Sequence, residues 1–187
     1  MHTNHSKPTD QALLDLILVG RVNTTYASIV AANLQAVIGI NTDIGPTIAK
    51  PHYAYMPGRG QYNADRILKE LSEMNDGAPF KLGLIEYDLC TPILTFVYGE
   101  SQLGGKAALV SLHRLLADDP TVAYQRAVKI SLHEVGHLLG IGHCWSLGCL
   151  MRFSSNMEAL DSLSTIFCST CEYEIKRRLK TLMNSLS

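Results

Sequence analysis

"HEVGHLLGIGHCWSLGCLM", residues 133–151, holds three of the chain's seven histidines and two of its five cysteines. On a helix, residues four apart share one face, so His133 and His137 point the same way. Two imidazoles so placed can hold one zinc ion at about 2.0–2.1 Å. Glu134 follows the first of them, within reach of a metal-bound water, and suits a general base. Gly140 can end the helix at φ > 0 and turn the chain back. His143, six residues after His137, can then close the same site. Three histidines leave a fourth position open to water, which marks a catalytic rather than a structural zinc. The competing reading is a helix whose histidines are ordinary surface groups.

Working outward, residues 118–140 read as the helix that carries these side chains. Asp119 suits its N-cap, Pro120 its first turn and Gly140 its C′ position. Before it come a strand over 13–19, a helix over 24–39 capped by Asn23 or Thr24 and stopped by Gly39, and a strand over 40–50 interrupted at Gly45-Pro46. Residues 51–63 read as loop, and 64–77 as a helix capped by Asn63. Three strands follow, over 80–90, 92–101 and 106–115. The last helix, 172–186, has acids in its first turn and bases after them, which suits the helix dipole. This order predicts a mixed α/β (α+β) domain with one twisted sheet.

Cys144 and Cys149 form C-x4-C, and Cys168 and Cys171 form C-x2-C, eighteen residues apart. Four thiolates satisfy a closed tetrahedral zinc site with Zn–S near 2.3 Å. Such a site does no chemistry, but it would tie the segment after the active helix to the start of the last one. Ordinary buried thiols or two disulfides are the competing readings. Cys90 stands apart and reads as a buried free thiol.

The bulk numbers set bounds. With 187 residues, 47% hydrophobic and 18% charged, the chain is long enough for one domain with a substantial core. The net charge of −1 gives no footprint for nucleic acid or an anionic membrane. The run "LLDLILVG" is too short to span a bilayer, and no secretory signal is visible. Cytoplasmic is the expectation, with residues 1–10 flexible. His2, His5, His52 and His113 read as surface or structural groups. Lys176, Arg177, Arg178 and Lys180 read as a solvated helix face.

HEVGHLLGIGH has the form HExxHxxGxxH and resembles the metzincin metallopeptidases. Met151 sits where that clan carries its Met-turn methionine. The further string HC…CxM…CxxC, through Cys171, is similar to the archaemetzincins. The resemblance implies a metzincin-like zincin catalytic domain over 1–187, with an active-site helix, a Met-turn and a C-terminal helix. It implies two zinc ions per chain, one catalytic on His133, His137 and His143, and one structural on Cys144, Cys149, Cys168 and Cys171. Glu134 would activate water and pass its proton to the leaving amine, and Met151 would pack beneath the ligands. The substrate would be a peptide or protein, extended along an exposed edge strand within 92–101. Some metzincins place a tyrosine two residues after the methionine; here that position is Phe153. Two other readings compete. One is a catalytically silent zinc-bound interaction protein. The other is a metal-dependent hydrolase acting on RNA, although the rRNA-maturation endoribonucleases with similar histidine spacing lack a glutamate where this chain has Glu134.

Overall fold

The structure is a computed structural model and describes residues 11–186. The expectation for residues 1–10, and those for His2 and His5, lie outside the described residues. In chain order the elements are β1 (Leu14–Val19), α1 (Thr24–Asn33, continued by a π-helical stretch over Leu34–Ile38), β2 (Thr42–Ile48), a 3-10 turn (His52–Ala54), β3 (Tyr55–Met56), β4 (Gln61–Asn63), α2 (Ala64–Glu73), β5 (Phe80–Ile85), β6 (Leu89–Cys90), β7 (Gly99–Ser101), β8 (Ala107–Ser111), α3 (Pro120–Leu138), α4 (Met157–Ser162) and α5 (Ser169–Leu186).

Five strands form one sheet in the order β2-β1-β5-β8-β7. All neighbours are parallel except β7, which runs antiparallel to β8. Every residue of β5 and β8 is buried, as parallel strands covered on both faces require. Alternation along the strands divides the core. Leu14, Leu16, Leu18, Leu82, Leu84, Ala108 and Val110 face α1 and α3 through Val30, Leu34, Ala127, Leu132 and Val135. Ile17, Val19, Ile85, Ala107 and Leu109 face Ile67 and Leu71 of α2 on the other side. The twisted mixed α/β sheet expected from the sequence is present.

The caps follow the sequence closely. Asn23, Asn63 and Asp119 each accept a hydrogen bond from a backbone N–H two or three residues on. The Gly45-Pro46 interruption is a bulge in β2: Leu16 pairs with Ile44 but Leu18 with Thr47. β2 is an edge strand, where a missing proline N–H leaves no ladder bond unmade.

Other expectations need correction. The strand over 80–90 is two, β5 and β6, in different sheets, and of 92–101 only β7 is strand. Between them, side chains replace the ladder. Arg59 donates to the carbonyls of Thr91 (3.0 Å), Leu94 (2.9 Å) and Thr95 (2.9 Å), and Gln61 adds one to Thr95. The loop over 51–63 contains β3 and β4, which join β6 in a three-stranded sheet. The helix over 64–77 ends at Glu73, and α5 starts three residues earlier than expected. α4 had no counterpart in the sequence reading; Asn156 caps it by accepting from Ala159 N–H at 2.8 Å.

Candidate active site

α3 packs across β8 and β7, bringing its last two turns against the sheet's terminal strand. His133 and His137 extend from those turns, and the chain reverses at Gly140 (φ 82°) to bring back His143. The Nε2 atoms of His133 and His137 lie 3.0 Å apart, and those of His137 and His143 3.3 Å. His133 donates its Nδ1–H to the Leu150 carbonyl at 2.8 Å, and His137 donates to the Ile141 carbonyl at 2.7 Å. These bonds fix the tautomer, since a carbonyl can only accept, and leave both Nε2 atoms as bare lone pairs. Converging lone pairs repel unless they share a cation. Tetrahedral zinc with ligands at ~2.05 Å would separate two nitrogens by about 3.3 Å, so the three imidazoles fit that ion. Burial, with the other two imidazoles nearby, holds His133 down to about 4, and burial lowers His137 as well. Both are therefore neutral at pH 7, as a metal ligand must be.

Glu134 is buried beside them. Its Oε2 accepts from the Ser101 hydroxyl of β7 at 2.8 Å. A methyl group on Gly99 would stand 2.7 Å from the Glu134 Cγ and Oε1, so glycine there lets the strand and the carboxylate meet. Burial pushes the Glu134 carboxyl up to about 8; the Ser101 bond opposes that shift and the Glu100 carboxylate adds to it. Ser101 cannot be read from the sequence, because its partner lies 33 residues away on the helix packed against β7.

Met151 is fully buried and lies beneath α3. A methyl group on Gly136 would approach its sulfur to 2.4 Å, so the helix can seat on the methionine only because residue 136 has no side chain. The turn around Met151 serves both sites: the Leu150 carbonyl accepts from His133 and the Met151 carbonyl accepts from Cys144 N–H at 2.8 Å. Phe153 sets its ring edge-on to His143 at 5.4 Å and offers no hydroxyl.

The four paired cysteines also come together. Their sulfurs lie within 4.8 Å of one another, with Cys144 and Cys168 3.7 Å apart. Zinc with Zn–S near 2.3 Å would place two sulfurs about 3.8 Å apart, so this set fits as well. None of the five cysteines is in a disulfide. Cys144 is held below the ordinary thiol value, first by hydrogen bonding from Ser146, and Cys168 is held at about 6, first by the Cys171 backbone N–H. These two thiols give up protons readily to a metal, whereas burial raises Cys149 and Cys171. Cys90 is buried well away from this set, as expected.

A cleft of about 610 Å³ runs past the histidines. Residues 94–99 form one wall, and Lys129, Ile130, Leu160 and Leu163, from α3 and the α4 segment, form part of the other. The outer edge of β7 has no strand partner among the described residues. His52 and His113 are exposed and lie outside the site. On α5, Lys176 pairs with Glu172 and Arg177 with Glu174, which leaves two fewer free charges for a polyanion.

Three converging histidines, two of them with fixed tautomers, a buried glutamate and an open cleft define a metallopeptidase. Residues 46–177 match peptidase family M54. The archaemetzincin of Methanopyrus kandleri is 42% identical over 130 residues, covering 70% of this chain and 74% of that one. The archaemetzincin of Methanocaldococcus jannaschii is 37% identical over 166 residues, covering 86% and 90%. The crystal structure of the Methanopyrus kandleri archaemetzincin superposes with a TM-score of 0.83 at 34% identity, over 90% of this chain and 96% of that one. That of the Archaeoglobus fulgidus archaemetzincin gives 0.77 at 31%, over 86% and 99%. The chain belongs to peptidase family M54 and is a zinc metallopeptidase, with peptides or proteins as its substrates.

Proposed function

We propose that this chain, acting as one metzincin-like domain, cleaves peptide bonds with Glu134 as general base and acid. His133, His137 and His143 hold the catalytic zinc in this reading, and Cys144, Cys149, Cys168 and Cys171 hold a second, structural zinc. The observation that carries the proposal is the meeting of three Nε2 atoms, two with their tautomers set by backbone carbonyls, beside a buried carboxylate that opens on the same cleft. Zinc bound there supplies Lewis-acid polarisation of the scissile carbonyl and lowers the pKa of water toward ~7.

The chain's own groups do the rest. Glu134 takes a proton from the attacking water and delivers it to the leaving amine. The Ser101 hydroxyl holds one carboxylate oxygen and so fixes which way the other faces. The free edge of β7 takes an extended peptide as an added strand, which aligns the scissile bond across the histidines. Met151 supports the floor without serving as a ligand.

The cysteine site pins residues 144–171 to the first turn of α5. Five thiols outside any disulfide agree with a reducing, cytoplasmic setting. No described helix is long and apolar enough to cross a membrane. The test is metal stoichiometry beside peptide cleavage in His143→Ala. One zinc per chain and no cleavage, against two zincs and cleavage in the wild type, is the expected result. Two zincs retained in the variant would contradict the ligand assignment.

A further inference from the structure

Lys129 lies on α3 four residues before His133, on the same face and about one turn away. It is only 8% exposed, yet it lines the cleft. Its ammonium sits at the seam between α3 and α4, where it donates to the carbonyls of Leu160 at 3.1 Å and Asp161 at 2.9 Å. An ammonium has three N–H donors, and the third meets no acceptor among the described residues. The cleft wall beside it is apolar: Ile130, Leu160 and Leu163, all buried. The Asp161 carboxylate is already spanned by Arg126 at 2.8 and 2.6 Å. With that carboxylate held by Arg126, Lys129 forms no ion pair of its own among the described residues.

A buried donor without a partner on an apolar wall strongly favours an oxygen acceptor over a hydrocarbon, because the bond is made out of competition with water. We propose that Lys129 determines side-chain specificity. The recess between α3 and α4 takes one substrate side chain that ends in an oxygen acceptor, a carboxylate ahead of a carboxamide, and Lys129 donates to that oxygen. The assignment rests on the peptide-cleft reading above and names the side chain that the cleft selects. The apolar stem of the substrate residue packs on Ile130, Leu160 and Leu163, so glutamate and glutamine meet both demands while aliphatic residues meet only one.

The test measures both binding and cleavage. Fluorescein-labelled decapeptides carry Glu, Gln or norleucine at each position in turn. Binding to the zinc-loaded Glu134→Gln protein is measured by fluorescence polarisation, and cleavage by the zinc-loaded wild type is followed in parallel. At one position only, Glu should exceed norleucine by roughly ten- to a hundredfold, the worth of one charge-assisted hydrogen bond. Adding Lys129→Met should abolish that ratio and leave the preferences at all other positions in place. The ratio between two peptides does not depend on how much of the variant is folded. Lys129→Arg keeps a donor and should retain a Glu preference. An unchanged ratio in Lys129→Met, or no peptide binding by the parent protein, overturns the assignment. Binding with the expected ratio but without cleavage would keep the recess and overturn the peptidase reading instead.

Discussion

Glu134 and Ser101 show how much of this site one residue carries. Ser101→Ala leaves a buried carboxylate oxygen without its donor, at about 1.5–3 kcal/mol. If that bond orients the base, kcat/KM falls roughly ten- to a hundredfold while zinc content stays at the wild-type value, and steady-state kinetics beside metal analysis reads both. Unchanged kinetics would remove Ser101 from the account. Gly136→Ala tests the Met151 support in a different way. The added methyl approaches the Met151 sulfur to 2.4 Å, and overpacking of this kind costs about 1–3 kcal/mol. A lower thermal midpoint is expected; an unchanged one would mean that Met151 can move aside freely. The meeting of the proposed ligands was legible in the sequence because helical spacing places His133 and His137 on one face without any tertiary knowledge. Ser101 was not, since nothing local to "YGES" says which helix it will face. Lys129 falls between the two: its four-residue spacing from His133 was visible, but a lysine there also fits a solvated face.

Among the elements, α4 depends most on its neighbours. It is six residues long, too short to hold itself. Lys129 and Arg126 of α3 hold it, the latter through a bidentate pair with Asp161. The Arg126 hydrogen bond keeps the Asp161 carboxyl below its ordinary value of 3.8. A group whose pKa is lowered on folding contributes stability above its unfolded value, and that contribution fades as pH falls through the folded value. Asp161→Asn should therefore lower the urea midpoint near pH 6, with the difference from the wild type shrinking as pH falls below 3.8. A constant difference across that range would contradict the ion-pair account. Short elements are also where the sequence reading failed. β3, β4, β6 and β7 have two or three residues each, too few to show a period of two. Residues 91–95 follow the carbonyl clamp of Arg59 and Gln61, each of whose bonds to them spans more than thirty residues in sequence. The long α3, by contrast, showed its N-cap, its periodicity and its stop.

For the molecule as a whole, the sheet order β2-β1-β5-β8-β7 explains why the site forms where it does. The last strand runs against the others, so its outer edge and the C-terminal half of α3 meet at one end of the sheet. Sequence patterns predicted an α/β chain but not this order, because buried strands with all faces apolar carry no record of their neighbours. In the proposed reading the two ligand sets divide the work: the histidines face the cleft, and the cysteines tie the tail to α5. Cys168→Ser should reduce zinc from two per chain to one and lower the thermal midpoint by several degrees, by the ordinary relation of stability to Tm. Full metal content in that variant would end the structural-zinc assignment.

The most direct test of the central claim is cleavage of a mixed peptide library by the zinc-loaded chain beside zinc-loaded Glu134→Ala, which keeps every proposed ligand. The account predicts cleavage by the first and a loss of at least about a thousandfold in the second, with two zincs bound to each. Equal cleavage by both, or none by either with both zincs in place, would contradict it.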